Sequence, residues 1–390
     1  MNNFPPDPAG VRFLEPLSGS VLNHRQGRVV PEGLIVPVSL EWPTAGGRSV
    51  WIDGNPATVQ GGVFQAHALV SADEQEICAT ADSPEGPILA KVRVVYDRFS
   101  RCRYRITIDD NIFCLEEIAR TLPRSIFDCF YLHGLRDLHQ RYGTKFALNV
   151  FFSTPNGDFT LAQFPERYRA EFADNGHWLT WAFHAKSEFP DRPYANCTPE
   201  QIAADYDQVA SEILRFAGEA AYSPTTVVHW AMVHPGAWKA LYDRDTRILS
   251  GFFVPAAAGH YVEDGVPLSP SEKGANYDIN YGMDSERSAI LSGCDLLKDF
   301  DSGLVFSKFD MVLNNTLPEQ ITPILESLKH RPQTAEIMDL MTHEQYFWPH
   351  YHACRPDHFL RCEIAIRWCV ENGYDSVFFH QGLAGVGRGL

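Results

Sequence analysis

Three places in the chain put metal-binding or proton-carrying residues directly after an apolar, strand-like run. The first is Thr107-Ile-Asp109-Asp110, where two adjacent carboxylates close the run. The second is Phe183-His184-Ala-Lys-Ser-Glu188, and the third is Leu340-Met-Thr-His343-Glu344. Adjacent buried carboxylates need a cation or a shared proton. A His and a Glu four residues apart can reach one ion, since imidazole nitrogen and carboxylate oxygen both ligate zinc. A further His titrates near neutral pH and suits proton transfer. Brought together, the three strand ends would supply a metal site, a base and an acid, which is the equipment of a hydrolase. The plainer alternative makes the Asp pair an N-cap for a helix near 114–120 and the two histidines structural.

Something must carry these residues to one point. From about Cys102 onward, strand-like runs at 104–109, 145–152, 177–184, 226–233, 251–255, 303–309, 336–343 and 375–380 alternate with helical periodicity. The segment 199–218 opens at Thr198 and sets Ile202, Tyr206, Val209, Ile213 and Phe216 on one stripe, and 356–373 ends at a glycine. Seven or eight β/α units over this length predict a distorted (β/α)7–8 barrel, whose sites lie at the C-terminal strand ends. An open doubly wound sheet is the competing architecture, disfavoured because no Gly-rich phosphate loop follows the first strand.

The first hundred residues read differently. Short alternating runs at 33–41, 49–52, 65–70, 76–81 and 90–96 are separated by turn clusters such as Asp53-Gly-Asn-Pro56 and Ser83-Pro-Glu-Gly86, with no helical stretch between them. This predicts an all-β sandwich of immunoglobulin size. The expected division is a tail at 1–8, an Ig-like β-sandwich at 9–97 and the α/β barrel at 98–390. The succession Ser49-Val-Trp-Ile-Asp-Gly-Asn-Pro-Ala57 and Lys91-Val-Arg-Val94 resembles the Ig-like modules appended to bacterial carbohydrate-active enzymes.

Taken in order, the Thr-Ile-Asp-Asp, His-x-x-x-Glu and Leu-x-x-His elements resemble the polysaccharide deacetylase family. The resemblance implies a divalent metal, most simply zinc, and hydrolysis of an N- or O-acyl group on a carbohydrate substrate. It implies Asp109 as general base, His343 as the acid that protonates the leaving group, and Asp110, His184 and Glu188 as metal ligands. Asp339 and Glu344 are candidates to orient His343. The chain departs from the family where Ala185 replaces a hydroxyl residue and Glu188 a His or Asp. It departs again at His229-Trp-Ala-Met-Val-His234-Pro-Gly-Ala-Trp238, which lacks the Arg-x-Pro pattern. His234 and Trp238 are candidate sugar-binding residues there, and Asp299-Phe-Asp301 is a candidate substitute for the missing orienting carboxylate. Two alternatives remain open: a catalytically silent carbohydrate-binding barrel, and an amidohydrolase acting on a non-sugar small molecule.

Composition sets the outer limits. A formal charge of -16 argues against nucleic-acid or anionic-membrane partners. With 45% hydrophobic and 12% aromatic residues the chain can build a sizeable core. The nine cysteines follow no zinc-finger or CxxC spacing and read as buried thiols in a reducing compartment. No apolar run reaches the roughly 20 residues of a membrane helix, and the opening lacks a signal-peptide pattern. The expectation is a cytoplasmic protein.

Overall fold

The computed structural model describes residues 10–45, 47–82, 88–253, 261–263, 266–268 and 280–387. The chain divides into two compact units: Met1–Ser100 with Leu296–Asp301, and Arg101–Asp295 with Ser302–Leu390. The expected boundary between residues 97 and 98 allowed for no such return of the chain. The candidate pair Asp299 and Asp301 belongs to the returning segment.

In the N-terminal unit, period-two alternation sets the structure. Strand β1 (Gly33–Glu41) buries Leu34, Val36, Val38 and Leu40 and pairs antiparallel with β2 (Val63–Val70). Strands β3 (Glu74–Ala81) and β4 (Ile88–Tyr96) pair antiparallel in a second sheet and turn Ile77, Ala79, Val92 and Val94 inward. Side chains from both sheets, with Trp42, form one apolar cluster. The predicted turn Ser83–Gly86 lies outside the described residues. The returning segment joins by a bridge between Ser20 and Leu297, and the Arg93 guanidinium stands 3.9 Å over the Phe300 ring.

The second unit is built on parallel strands. Strand β5 (Arg103–Asn111) is buried along its whole length, its Arg and Asp residues included, as in a strand covered on both faces. It pairs in parallel with β6 (Phe146–Phe151), which pairs with β7 (Leu179–Ala185). Strands β8 (Ile248–Gly251) and β9 (Val305–Lys308) pair in parallel outside that sheet. On the other side of β5 lies β11 (Ile337–His343), edged by the short β10 (Met311–Val312). A two-residue strand, β12 (Asp375–Ser376), pairs with the start of β5. Among the described residues no hydrogen-bonded ring closes around these strands, so the observed architecture is a mixed α/β unit with a six-stranded parallel sheet.

Helices begin where their caps allow. α1 (Phe113–Thr121) follows β5 directly. α2 (Pro199–Phe216) is capped by Thr198, whose hydroxyl accepts from the Gln201 N–H at 3.2 Å, with Pro199 in the first turn. α3 (His358–Glu371) buries Cys362, Ala365, Ile366 and Cys369. The run at 226–233, expected as a strand, is instead broken by a single 3-10 turn at His229–Ala231. Positions 254 and 255 of the expected strand at 251–255 lie outside the described residues.

Candidate metal centre and active site

Adjacent residues of a regular strand point to opposite faces. Asp109 and Asp110 nevertheless line the same cavity. The register of β5 against β6 slips between Ile108 and Asn111, and Asp110 takes φ +60°. This bulge re-aims the second carboxylate, and Asp is one of the few residue types that enters the left-handed region at modest cost.

His184 is the penultimate residue of β7 and is 2% exposed. Its Nδ1 lies 2.9 Å from the Val227 carbonyl, which only accepts, so that nitrogen carries the proton and a neutral ring leaves a lone pair on Nε2. That Nε2 stands 3.0 Å from Asp110 Oδ1. His229 completes the group: its Nδ1 is 3.2 Å from His184 Nε2 and 3.2 Å from Asp110 Oδ1. Among the described residues these three buried atoms form one group with metal-binding spacing. Bonds of about 2.0–2.1 Å place neighbouring ligand atoms about 3.3 Å apart around a tetrahedral ion and about 2.9 Å apart around an octahedral one. The observed edges match one face of such a polyhedron. The Phe151 ring backs both imidazoles, with centroids at 5.3 and 4.9 Å.

Within the triangle the carboxylate and the imidazoles shift one another's titration. Burial alone would push the Asp110 carboxyl up, but hydrogen bonds with His184 and His229, together with the His229 and His343 charges, hold it well below the usual carboxylate range. Burial disfavours the His184 imidazolium, yet Asp109 and Asp110 outweigh it and raise its pKa.

Asp109 is held apart from the triangle. Its Oδ1 accepts from Asn149 Nδ2 at 2.6 Å and from the Thr107 hydroxyl at 3.4 Å. His343 lies opposite Asp109 in the β5–β11 register. Its Nδ1 meets Asn314 Oδ1 at 2.9 Å, and its Nε2 stands 4.0 Å from Asp110 Oδ2. Asn314 Nδ2 donates to Asn315 Oδ1, which fixes the amide with its oxygen towards the imidazole.

Other expectations are corrected. Glu188 lines the cavity but does not join the ligand triangle, because β7 ends at Ala185 and the next residues leave as a loop. Burial and the Asp110 charge push its carboxyl up to about 7. His234 is exposed and accepts from the Gly236 N–H at 3.1 Å, while Trp238 is buried and donates to the Tyr281 carbonyl at 3.1 Å. Neither is among the cavity residues. Asp339 pairs with Arg105 rather than orienting His343. Glu344 does not orient that imidazole either, because its buried carboxylate accepts from the backbone N–H groups of Ile112, Phe113 and Cys114 at 2.6, 2.9 and 2.7 Å. It thereby satisfies the open N-terminus of α1 and ties the end of β11 to the end of β5. In the following loop, Gln345, Tyr346 and Tyr351 face the cavity, while Phe347 packs on His358 and Phe359.

No family model and no curated protein matches this chain. Among solved structures, the chain is similar to the 4-alpha-glucanotransferase of Thermococcus litoralis, with 12% identity, 72% of this chain and 39% of that one covered, and a TM-score of 0.43. It is also similar to a beta-glucuronidase of Parabacteroides merdae, with 10% identity, 80% and 44% covered, and a TM-score of 0.22. The chain thus spans less than half the length of either. At these scores the likeness carries no argument about chemistry, and the site is read from its own geometry. Among the described residues no helix is long and apolar enough to cross a membrane.

Proposed function

We propose that the protein is a metal-dependent hydrolase that removes an acyl group, such as acetyl, from an amide on a carbohydrate or a related small molecule. The observation that carries this reading is the triangle of Asp110 Oδ1, His184 Nε2 and His229 Nδ1, with edges of 3.0, 3.2 and 3.2 Å. Two imidazoles and one carboxylate form the ligand class of hydrolytic zinc sites that keep a position open; the same set also serves Fe(II). A divalent ion held there would supply Lewis acidity towards the acyl carbonyl and towards water.

The remaining work falls to the chain. Asp109, fixed by Asn149 and Thr107, accepts a proton from the attacking water. His343, with Nδ1–H directed at Asn314, presents Nε2 to the cavity and protonates the departing nitrogen as the C–N bond breaks. The products are the carboxylate and the free amine. On this reading the parallel strands are the wall of a distorted (β/α) barrel of polysaccharide-deacetylase type, and the N-terminal unit is an Ig-like module. Elemental analysis joined to acetate-release assays tests it. The expected result is a stoichiometric divalent metal in the wild type, lost together with turnover in His229→Ala. Equal metal content in the two proteins would overturn the assignment.

A further inference from the structure

The same cavity narrows the nature of the substrate, provided that the protein is the amide hydrolase proposed above. The cavity holds about 250 Å³, a volume suited to a small molecule or one terminal residue. Beyond the base and the metal ligand, its wall carries two more carboxyl groups, Glu188 and Asp191. Glu188 is half-buried and makes no hydrogen bond or ion pair among the described residues. A carboxyl in that position is costly unless an incoming group compensates it. The rings of Phe189, Trp230, Tyr346 and Tyr351 stand in the same wall, with Phe189 58% and Trp230 39% exposed. Among the described residues no Lys or Arg belongs to this lining. Arg192 instead stacks its guanidinium 5.2 Å over the Trp230 ring, so that this ring already receives a cation.

Aromatic faces and carboxylates attract the same kind of group, a desolvated cation. They repel phosphate, sulfate and carboxylate groups. We infer that the substrate carries an ammonium group next to its acyl amide, held between Glu188 and the aromatic wall. Acylated diamines and amino sugars with a free amine share this chemistry.

Binding of choline and of its neutral isostere 3,3-dimethylbutan-1-ol, followed by calorimetry on the metal-loaded protein, separates this inference from the hydrolase reading. The two probes share the hydroxyl that could reach a metal, so the difference between them reports on the ammonium group alone. Choline should bind about tenfold more tightly than the alcohol. Glu188→Gln should remove most of that difference. Equal binding of the two probes, no detectable choline binding, or a difference that survives Glu188→Gln overturns the inference. Acetate release from N-acetylputrescine and from partly deacetylated chitooligosaccharides then distinguishes the two sources. Choline selectivity without acetate release from any acylated amine supports the ammonium site and removes the hydrolase reading; acetate release without choline selectivity does the reverse.

Discussion

Strands β5 and β11 run side by side, and their two ends hold charge in opposite ways. Near the start, Arg105 lies opposite Asp339; four residues on, Asp109 lies opposite His343. At the first position the guanidinium meets the carboxylate at 2.7 Å, Ser307 donates to the other carboxylate oxygen at 2.8 Å, and Thr226 accepts from the guanidinium at 2.7 Å. That charge is matched within the chain. At the second position, about 13 Å further along the strand, carboxylates and imidazoles meet with no Lys or Arg in the described cavity lining. The matched end closes its charges with a guanidinium, whereas the other end sets Asp110 against the imidazoles of His184 and His229. One pair of strands thus carries both ends, with three residue pairs between them.

Substitutions should split along the same line. Asp109→Asn and His343→Asn should each lower turnover by roughly 10²–10⁴-fold while the metal stays bound, as read by single-turnover assays and elemental analysis. For His343→Asn the loss should shrink on acyl groups with good leaving groups, which need no protonation. Metal loss from His343→Asn would make that residue a ligand instead. At the matched end, Arg105→Met should cost about 3–5 kcal/mol, because Asp339 is left buried without its partner. Urea unfolding should show this loss, and the double variant Arg105→Met/Asp339→Leu should recover most of it.

A smaller effect concerns His358, which is 1% exposed and shares a hydrogen bond between its Nε2 and the Thr342 hydroxyl at 2.7 Å. Burial, then the charges of Arg361, His343 and Arg355, push its pKa down to about 3. The unfolded chain, with a His pKa of about 6.5, therefore binds the extra proton first as pH falls. Stability from this group is complete above about 6.5 and drains away between there and about 3, amounting to about 2 kcal/mol by pH 5. Unfolding free energies measured across that window should show a shallower acid slope in His358→Gln. The least effect is expected from the exposed Lys91–Glu76 pair of the N-terminal unit. Lys91→Met should leave the unfolding midpoint in place.

Several residues that line the cavity were legible in the residue order, and the exceptions have identifiable causes. Asp109, Asp110, His184 and His343 stand out because each closes an apolar run, and the strands end where those runs do. The alternation of Leu34, Val36, Val38 and Leu40 likewise predicted β1. His229 was missed because 226–233 reads as one strand, whose far end points to His234 and Trp238 instead. The chain breaks at His229 through two consecutive left-handed residues, Trp230 at φ +62° and Ala231 at φ +45°. Neither residue type signals that conformation. The available clue was local: Val227-Val228-His229 repeats the apolar-apolar-His order of Ala182-Phe183-His184. Glu188 misled for a related reason, since spacing by four implies a shared face only while regular structure continues. Asn314 gave no signal at all, because its role depends on the long-range pairing that brings it beside His343.

The return of Leu296–Asp301 to the N-terminal unit also bears on how the protein is made. Leu296 and Leu297 are 5% and 2% exposed, so they are covered side chains rather than surface decoration. A ribosome working at roughly 5–20 residues per second needs on the order of 10–40 s to add the roughly 200 residues between Ser100 and Leu296. During that interval the first unit has emerged but lacks its last segment, while the second unit is still being extended. Synthesis of the two units is therefore interleaved: most of the second unit is made before the first unit's last segment, and the second unit is finished last.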